Sequence, residues 1–153
     1  MDELSVEKER RYQRVYRPHL KLIEGLHSFM EKARQANIKM AIGSAAIPFN
    51  IDFVLDNLNI RKYFSAIVSA EDVIISKPDP ETYIKAAQQL DIDPQHCIVF
   101  EDAPKGVEAA ERAGMDAVVL TTMHHPDEFQ HYSNIRFFTP DYTDSRLLEL
   151  LNK

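Results

Sequence analysis

Four polar residues follow short apolar runs in the sequence, and their types together suit a phosphate and a metal ion. They are Ser44, Lys77 and the adjacent acids Glu101 and Asp102. The hydroxyl of Ser44 and nearby backbone N–H groups, including that of Ala45, can hold phosphoryl oxygens, and Lys77 supplies a compact positive charge for them. Two adjacent carboxylates repel each other unless a cation lies beside them. Mg²⁺ fits this requirement because it takes oxygen ligands and is commonly shared with a substrate phosphate.

Each of these residues also has an ordinary structural explanation. A serine after a strand is commonly a turn or helix-cap residue, and a lysine before Pro-Asp-Pro suits a surface loop. An acidic pair before a helix favours the positive end of the helix dipole. All four residues occur in this order, each after an apolar run. This combination favours a phosphate and metal site over four separate structural roles. Such a site would promote phosphoryl transfer mainly by positioning and charge neutralisation.

The segments that must position these residues alternate between helical and strand patterns. The patterns predict helices over residues 23–36, 48–57, 80–90, 105–113 and 144–152, and strands over residues 38–43, 64–69, 97–101, 116–120 and 135–138. Such alternation implies right-handed crossovers and a parallel sheet with helices on both faces. The predicted fold class is therefore α/β, in a Rossmann-like three-layer arrangement. Ligands of such sheets bind at the carboxyl ends of the strands, beyond which all four polar residues fall.

Composition excludes several classes of protein. The chain has 153 residues, enough for one domain with a sizeable core, and its net charge of −6 argues against a nucleic-acid partner. No apolar run approaches the roughly 20 residues of a membrane-spanning helix, so no membrane is expected as a partner. Cys97 is the only cysteine. No intrachain disulfide can therefore form, which fits a reducing cytoplasm.

Three segments resemble the haloacid dehalogenase (HAD) superfamily, in its β-phosphoglucomutase-like branch. They are MAIGSAA at 40–46, ISKPDPETY at 75–83 and IVFEDAPKGVEAAERAGM at 98–115. The resemblance covers about residues 18–125. It implies a HAD-like core that binds Mg²⁺ and acts as a phosphatase or phosphomutase on a small phosphorylated metabolite.

The resemblance also implies a role for each candidate residue. Ser44 would be the hydroxyl that binds the transferring phosphate, with Lys77 beside it, and these two are the expected catalytic residues. Ala45 would contribute to the same phosphate site. Asp102 would be the direct Mg²⁺ ligand. Glu101 would be the second acid of the metal site, acting directly or through water.

The first motif of the family has no counterpart at the expected place. In relatives an Asp-x-Asp pair ends the first strand, and its first Asp is the nucleophile that becomes phosphorylated. Residues 1–17, which include the charged run VEKERRYQRVY, resemble instead the tail of a helical cap. We therefore expect a cap remnant at 1–17 and an incomplete HAD-like core at 18–153, with the first central strand missing. Asp91-Ile92-Asp93 repeats the spacing, but it falls at the entering edge of the sheet and is interpreted as a loop.

A missing central strand would leave its two neighbours with one unpaired edge each, and such edges template association. Three outcomes stay open. In the first, the two strands pair directly with each other. In the second, another chain or an exchanged copy of this one fills the gap, in a homodimer or strand-exchanged assembly. In the third, which is favoured, the sequence is a fragment of a longer protein. We expect the isolated chain to be inactive because the nucleophilic aspartate is absent. The alternative function is a non-catalytic module that binds phosphate or Mg²⁺ or self-associates.

Overall fold

Strands and helices alternate along residues 24–151, which are the residues that the computed structural model describes. The predicted cap remnant at 1–17 lies outside these residues. The helices are α1 (Leu26–Gln35), α2 (Pro48–Leu58), α3 (Glu81–Leu90), α4 (Pro104–Arg112) and α5 (Arg146–Glu149), and the strands are β1 (Ala41–Gly43), β2 (Ala66–Val68), β3 (Ile98–Glu101), β4 (Asp116–Leu120) and β5 (Ile135–Thr139). Every predicted element is present, although α5 is shorter than predicted. No helix within residues 24–151 combines the length and the apolar character that crossing a membrane requires.

Local sequence signals set several of these boundaries. Pro48 and Pro104 each begin a helix, where the fixed φ of proline is favourable and its missing N–H is not needed. The carboxylate of Asp79 accepts a hydrogen bond from the backbone N–H of Glu81 at 3.0 Å, at the start of α3. Gly114 follows α4 with φ of 82°, a left-handed conformation that glycine adopts without steric cost.

The five strands form two parallel sheets. The first contains β1 and β2, and the second has the strand order β3-β4-β5. Within residues 24–151 no ladder joins β1 to β3. Of the three outcomes that the sequence leaves open, direct pairing of these two strands is therefore wrong for this structure. The prediction of a parallel α/β fold with helices on both faces is confirmed.

The two sheets are halves of a single layer, because the same helices cover both of them. Ile42 of β1 and Phe100 of β3 belong to one hydrophobic cluster with α1. On the opposite face, α3 packs its Ala86 against Ala41 of β1 and its Ala87 against Val99 of β3. Alternate residues of the two strands thus face the same pair of helices, as in adjacent parts of one sheet.

Between the two sheets lies a cavity of about 410 Å³, here named the inter-sheet slot. Its walls include Met40 and Ala41 from the β1 side, Val99 from β3, Phe29 from α1, and Ala86 and Ala87 from α3. Among residues 24–151, neither β1 nor β3 forms a ladder with a strand across this slot.

Candidate phosphate and metal site

The ammonium group of Lys77 connects the carboxyl ends of the two sheets. Its Nζ atom donates to the carbonyl oxygen of Gly43 at the end of β1 (3.2 Å) and to Oε2 of Glu101 at the end of β3 (3.3 Å). It also donates to the hydroxyl of Tyr83 on α3 at 2.9 Å. Ser44 directly follows Gly43, and Asp102 directly follows Glu101. The structure therefore brings the polar residues predicted from the sequence to one rim.

Ser44 is fully buried in the turn that follows β1. Its Oγ accepts a hydrogen bond from the backbone N–H of Ala46 at 3.0 Å, and its own N–H donates to the carbonyl of Val68 at 2.9 Å. Ser44 therefore does stabilise the turn, which is the ordinary structural explanation considered for it above. A hydroxyl that accepts one hydrogen bond can also donate one, so this role is compatible with binding a phosphoryl oxygen. Ala45, between these residues, is partly exposed.

Both carboxylate oxygens of Glu101 accept hydrogen bonds from the protein. Oε2 accepts from the hydroxyl of Tyr83 at 2.7 Å and from Lys77, while Oε1 accepts from the backbone N–H groups of Asp102 at 2.9 Å and Ala103 at 3.3 Å. Burial alone would raise the pKa of Glu101. The charge of Lys77 and the hydrogen bonds from Tyr83 and Asp102 outweigh burial and lower this pKa below its usual value. Glu101 is therefore ionised and holds the lysine in place.

The two predicted metal-binding acids have different environments. Because the oxygens of Glu101 already accept several donors from the protein, its carboxylate is poorly placed to coordinate a metal ion directly. Asp102, which is 5% exposed, continues the same rim. Residues 24–151 contain no cluster of three or more His, Cys, Asp or Glu side chains that could hold a metal ion. Mg²⁺ needs only one or two carboxylates when it keeps several waters and shares a substrate phosphate, so Asp102 fits a partial site of this kind.

Two residues that were not among the predicted site residues, Tyr83 and Gly106, complete the arrangement. Tyr83 is buried, and its ring lies 4.6 Å from Nζ of Lys77 in a cation–π contact. Gly106 lies in the first turn of α4, where a Cβ atom would come within 1.8 Å of Oε2 of Glu101. The only sequence signals for these roles were the position of Tyr83 in the segment 75–83 and the occurrence of a glycine near a helix start.

The internal Asp-x-Asp sequence takes no part in this rim. Asp91 ends α3 in a left-handed conformation with φ of 59°, and Asp93 precedes a short 3₁₀ turn at Pro94–His96. Ile92 between them lines the inter-sheet slot, as does His96 just before β3. The interpretation of this segment as a loop at the entering edge is confirmed.

Comparison with known proteins identifies the family. The sequence model of the haloacid dehalogenase-like hydrolases matches residues 3–120. The chain belongs to this HAD-like hydrolase family. A solved structure described as a putative β-phosphoglucomutase from Thermotoga maritima superposes with a TM-score of 0.79 at 26% identity, covering 94% of this chain and 65% of that one. The resemblance to the β-phosphoglucomutase-like branch is thus confirmed.

Curated relatives of this HAD-like chain are longer than it is. An uncharacterized protein of Haemophilus influenzae is 40% identical over 123 residues, which cover 79% of this chain and 59% of the relative. A fructose-1-phosphate phosphatase of Escherichia coli is 43% identical over 79 residues, which cover 52% of this chain and 42% of the relative. The chain thus spans about half the length of these two relatives.

Substitution of Gly106 tests how closely the start of α4 packs against Glu101. In a helix interior, alanine is more favourable than glycine by about 1 kcal/mol, so propensity alone predicts that Gly106→Ala stabilises the protein. The clash with Oε2 of Glu101 predicts the opposite sign, a loss of about 1–3 kcal/mol. Urea unfolding measures the difference, with the exposed Lys105→Ala on the same helix as a control that changes little. A Gly106→Ala protein at least as stable as wild type would show that the carboxylate does not need this space.

Acid titration of Glu101→Gln tests the charged contact with Lys77. Since the pKa of Glu101 is lower in the folded state than in the unfolded state, its ionised form adds stability above about pH 4.3 that is lost as the pH falls. We expect Glu101→Gln to cost about 3 kcal/mol at pH 7 and progressively less towards pH 3. The measurement is urea unfolding across this range, with the exposed Glu71→Gln as the matched control. A cost that stays constant with pH would contradict the assignment.

Proposed function

We propose that this chain carries the phosphate- and magnesium-binding part of a phosphatase or phosphomutase site for a small phosphorylated metabolite. The observation that supports this best is the ammonium of Lys77, held between the end of β1 and Glu101. A positive charge fixed at the carboxyl ends of parallel strands suits an anionic ligand. The similarity to a phosphatase of fructose 1-phosphate and to a putative β-phosphoglucomutase supports the same reaction class.

Each residue has a definite part in this proposal. The hydroxyl of Ser44 and the backbone N–H of Ala45 hold phosphoryl oxygens, while Lys77 neutralises charge that develops on them. Asp102 binds Mg²⁺, and Glu101 positions Lys77. When bound, Mg²⁺ would supply further neutralisation of the phosphoryl group. The chain is similar to a fructose-1-phosphate phosphatase and to a putative β-phosphoglucomutase, so hydrolysis and transfer are both compatible with the proposal.

The nucleophile must come from outside the described part of the chain. The family resemblance implies an aspartate at the end of a strand between β1 and β3. Residues 24–151 provide no strand at that position. We therefore propose that the 153-residue chain on its own binds phosphate without turning over a phosphate ester. The single cysteine, Cys97, supports a reducing cytoplasm as its location.

The alternative function is a module that binds phosphate or Mg²⁺ without catalysis. It is favoured by the same geometry, since Ser44, Lys77 and Asp102 need no nucleophile in order to bind. Supplying the missing strand distinguishes the two functions. Activity that appears when the N-terminal region of a longer relative is added supports the enzyme, whereas a chain that binds phosphate and stays inactive with that region present supports the module.

Phosphate binding and turnover can be measured on the same preparation. With inorganic phosphate and Mg²⁺ in calorimetric titration, Ser44→Ala and Lys77→Met should each weaken binding about 10- to 100-fold, since charge-assisted hydrogen bonds contribute about 1.5–3 kcal/mol. Lys105→Met, an exposed lysine on α4, is the control and should bind like wild type. Circular dichroism checks that each variant is folded.

Turnover is followed with p-nitrophenyl phosphate, with and without Mg²⁺. We expect no Mg²⁺-dependent hydrolysis by the 153-residue chain. Hydrolysis that depends on Mg²⁺ and disappears in Asp102→Asn would overturn the proposal of inactivity, while leaving Asp102 as the metal ligand. Phosphate binding that is unaffected by Ser44→Ala, by Lys77→Met and by Asp102→Asn would overturn the site itself.

A further inference from the structure

The hydroxyl of Tyr83 lies between the two opposite charges of the rim. It donates to Oε2 of Glu101 at 2.7 Å and accepts from Nζ of Lys77 at 2.9 Å. The direct distance from Nζ to Oε2 is 3.3 Å, whereas a hydrogen bond between an ammonium and a carboxylate is commonly about 2.7–2.9 Å long. The tyrosine therefore satisfies an oxygen that the lysine would otherwise approach more closely.

The ring of Tyr83 is fixed by close packing on the end of β1. The side chain is 2% exposed and packs with Ala87 of α3 and Val99 of β3. A Cβ atom added to Gly43 would lie 3.2 Å from both Cδ1 and Cε1 of the ring, which is closer than ordinary van der Waals contact. Because the ring fits against bare backbone, its hydroxyl keeps one position relative to Lys77 and Glu101.

The three acceptors of Lys77 named above differ in how readily they can be released. The carboxylate of Glu101 is 2% exposed, and separating a buried ion pair leaves an uncompensated charge. The carbonyl of Gly43 is buried, so bulk water does not replace a lost donor there. The hydroxyl of Tyr83 still donates to Oε2 after the lysine has left it, so it stays hydrogen-bonded. The tyrosine is the acceptor that is released at the lowest cost.

We propose that Tyr83 is a positioning residue of the phosphate site, whose hydroxyl holds Lys77 away from Glu101 and is the partner that Lys77 releases when a phosphoryl oxygen binds. Lys77 keeps its bonds to Gly43 and Glu101 during this exchange. The hydroxyl proton of Tyr83 stays directed at Oε2, and the tyrosine does not contact the phosphate. The inference rests on the proposed function, because the incoming anion is the phosphate of that site.

Removal of the hydroxyl has a definite consequence for the lysine. In Tyr83→Phe, Oε2 of Glu101 loses its 2.7 Å donor, and Lys77 can approach this oxygen to an ordinary ion-pair distance. A shorter ion pair neutralises more of the ammonium charge and withdraws it from the phosphate. We therefore expect Tyr83→Phe to weaken the binding of inorganic phosphate about tenfold, although the lost hydroxyl does not touch the phosphate.

Calorimetric titration of the full 153-residue chain with inorganic phosphate and Mg²⁺ measures this effect. Tyr132→Phe is the matched control, because it removes the same hydroxyl from a tyrosine that precedes β5 and donates to Glu108 at 3.2 Å. The control should bind phosphate like wild type. Circular dichroism checks that both variants fold. A folded Tyr83→Phe protein that binds phosphate as tightly as wild type, or more tightly, would overturn the proposal.

A second substitution separates this positioning role from a general loosening of the rim. If Glu101 is what withdraws Lys77, the effect of Tyr83→Phe needs the charge of Glu101. In a Glu101→Gln background, Tyr83→Phe should then change phosphate affinity less than twofold. Such a double-mutant cycle isolates the coupling between residues in contact. Binding that falls about tenfold in both backgrounds would show that Tyr83 only supports the packing, and would overturn the proposal.

The exchange of partners can also be followed in the wild-type protein, which does not depend on the folding of any variant. In protein labelled with ¹³C at tyrosine Cζ, the signal of Tyr83 is assigned through its own ring protons. Saturation with inorganic phosphate should shift this signal, because the hydroxyl loses the bond from Lys77. The signal of Tyr132 should stay in place. A Tyr83 signal that does not move at saturation would contradict the release of Lys77.

Failure of this inference can be told apart from failure of the proposed function. Wild-type protein that binds phosphate, with binding weakened by Lys77→Met and unchanged by Tyr83→Phe, would leave the site intact and remove only the role of Tyr83. Wild-type protein that does not bind phosphate would remove the site, and the inference with it.

Discussion

The arrangement of the rim depends on the ammonium group of Lys77. An ammonium has three protons, and three donated bonds lead to the carbonyl of Gly43, the hydroxyl of Tyr83 and the carboxylate of Glu101. These partners belong to β1, α3 and β3. The charge of Lys77 can attract a phosphoryl group at a distance. A direct hydrogen bond from Nζ to a phosphoryl oxygen, however, requires the lysine to give up one of these three hydrogen bonds. The lysine is thus held in advance by the elements that also define the rim.

The same three elements also surround the inter-sheet slot. The candidate site and the slot are therefore held in place by the same strands and the same helix. Helix α3 covers both sheets on one face and provides Tyr83 at the rim. Helix α1 covers both on the other face, where Phe29 and Phe100 have ring centroids 5.4 Å apart. The two sheets are therefore held together by side chains that cross from helix to strand, since no backbone ladder joins β1 to β3 in residues 24–151.

Local sequence predicted the elements and the approximate rim, but not the contacts across it. Apolar runs and proline positions are local signals, and they placed β3, α4 and the acids Glu101 and Asp102 correctly. The direction of the Glu101 carboxylate is decided by Lys77, 24 residues away in sequence, and by the space above Gly106. The direction of this carboxylate is therefore fixed only when elements that are distant in sequence come together in the fold. The resemblance assigned both acids to the metal site for this reason, whereas the fold directs the carboxylate of Glu101 to Lys77 and Tyr83.

The volume of the inter-sheet slot also bears on how the protein responds to hydrostatic pressure. Unfolding removes internal voids, and the accompanying decrease in system volume scales with their size. A cavity of about 410 Å³ lined largely by apolar side chains offers water few hydrogen-bonding partners. Compression therefore favours any state in which this space is filled or collapsed.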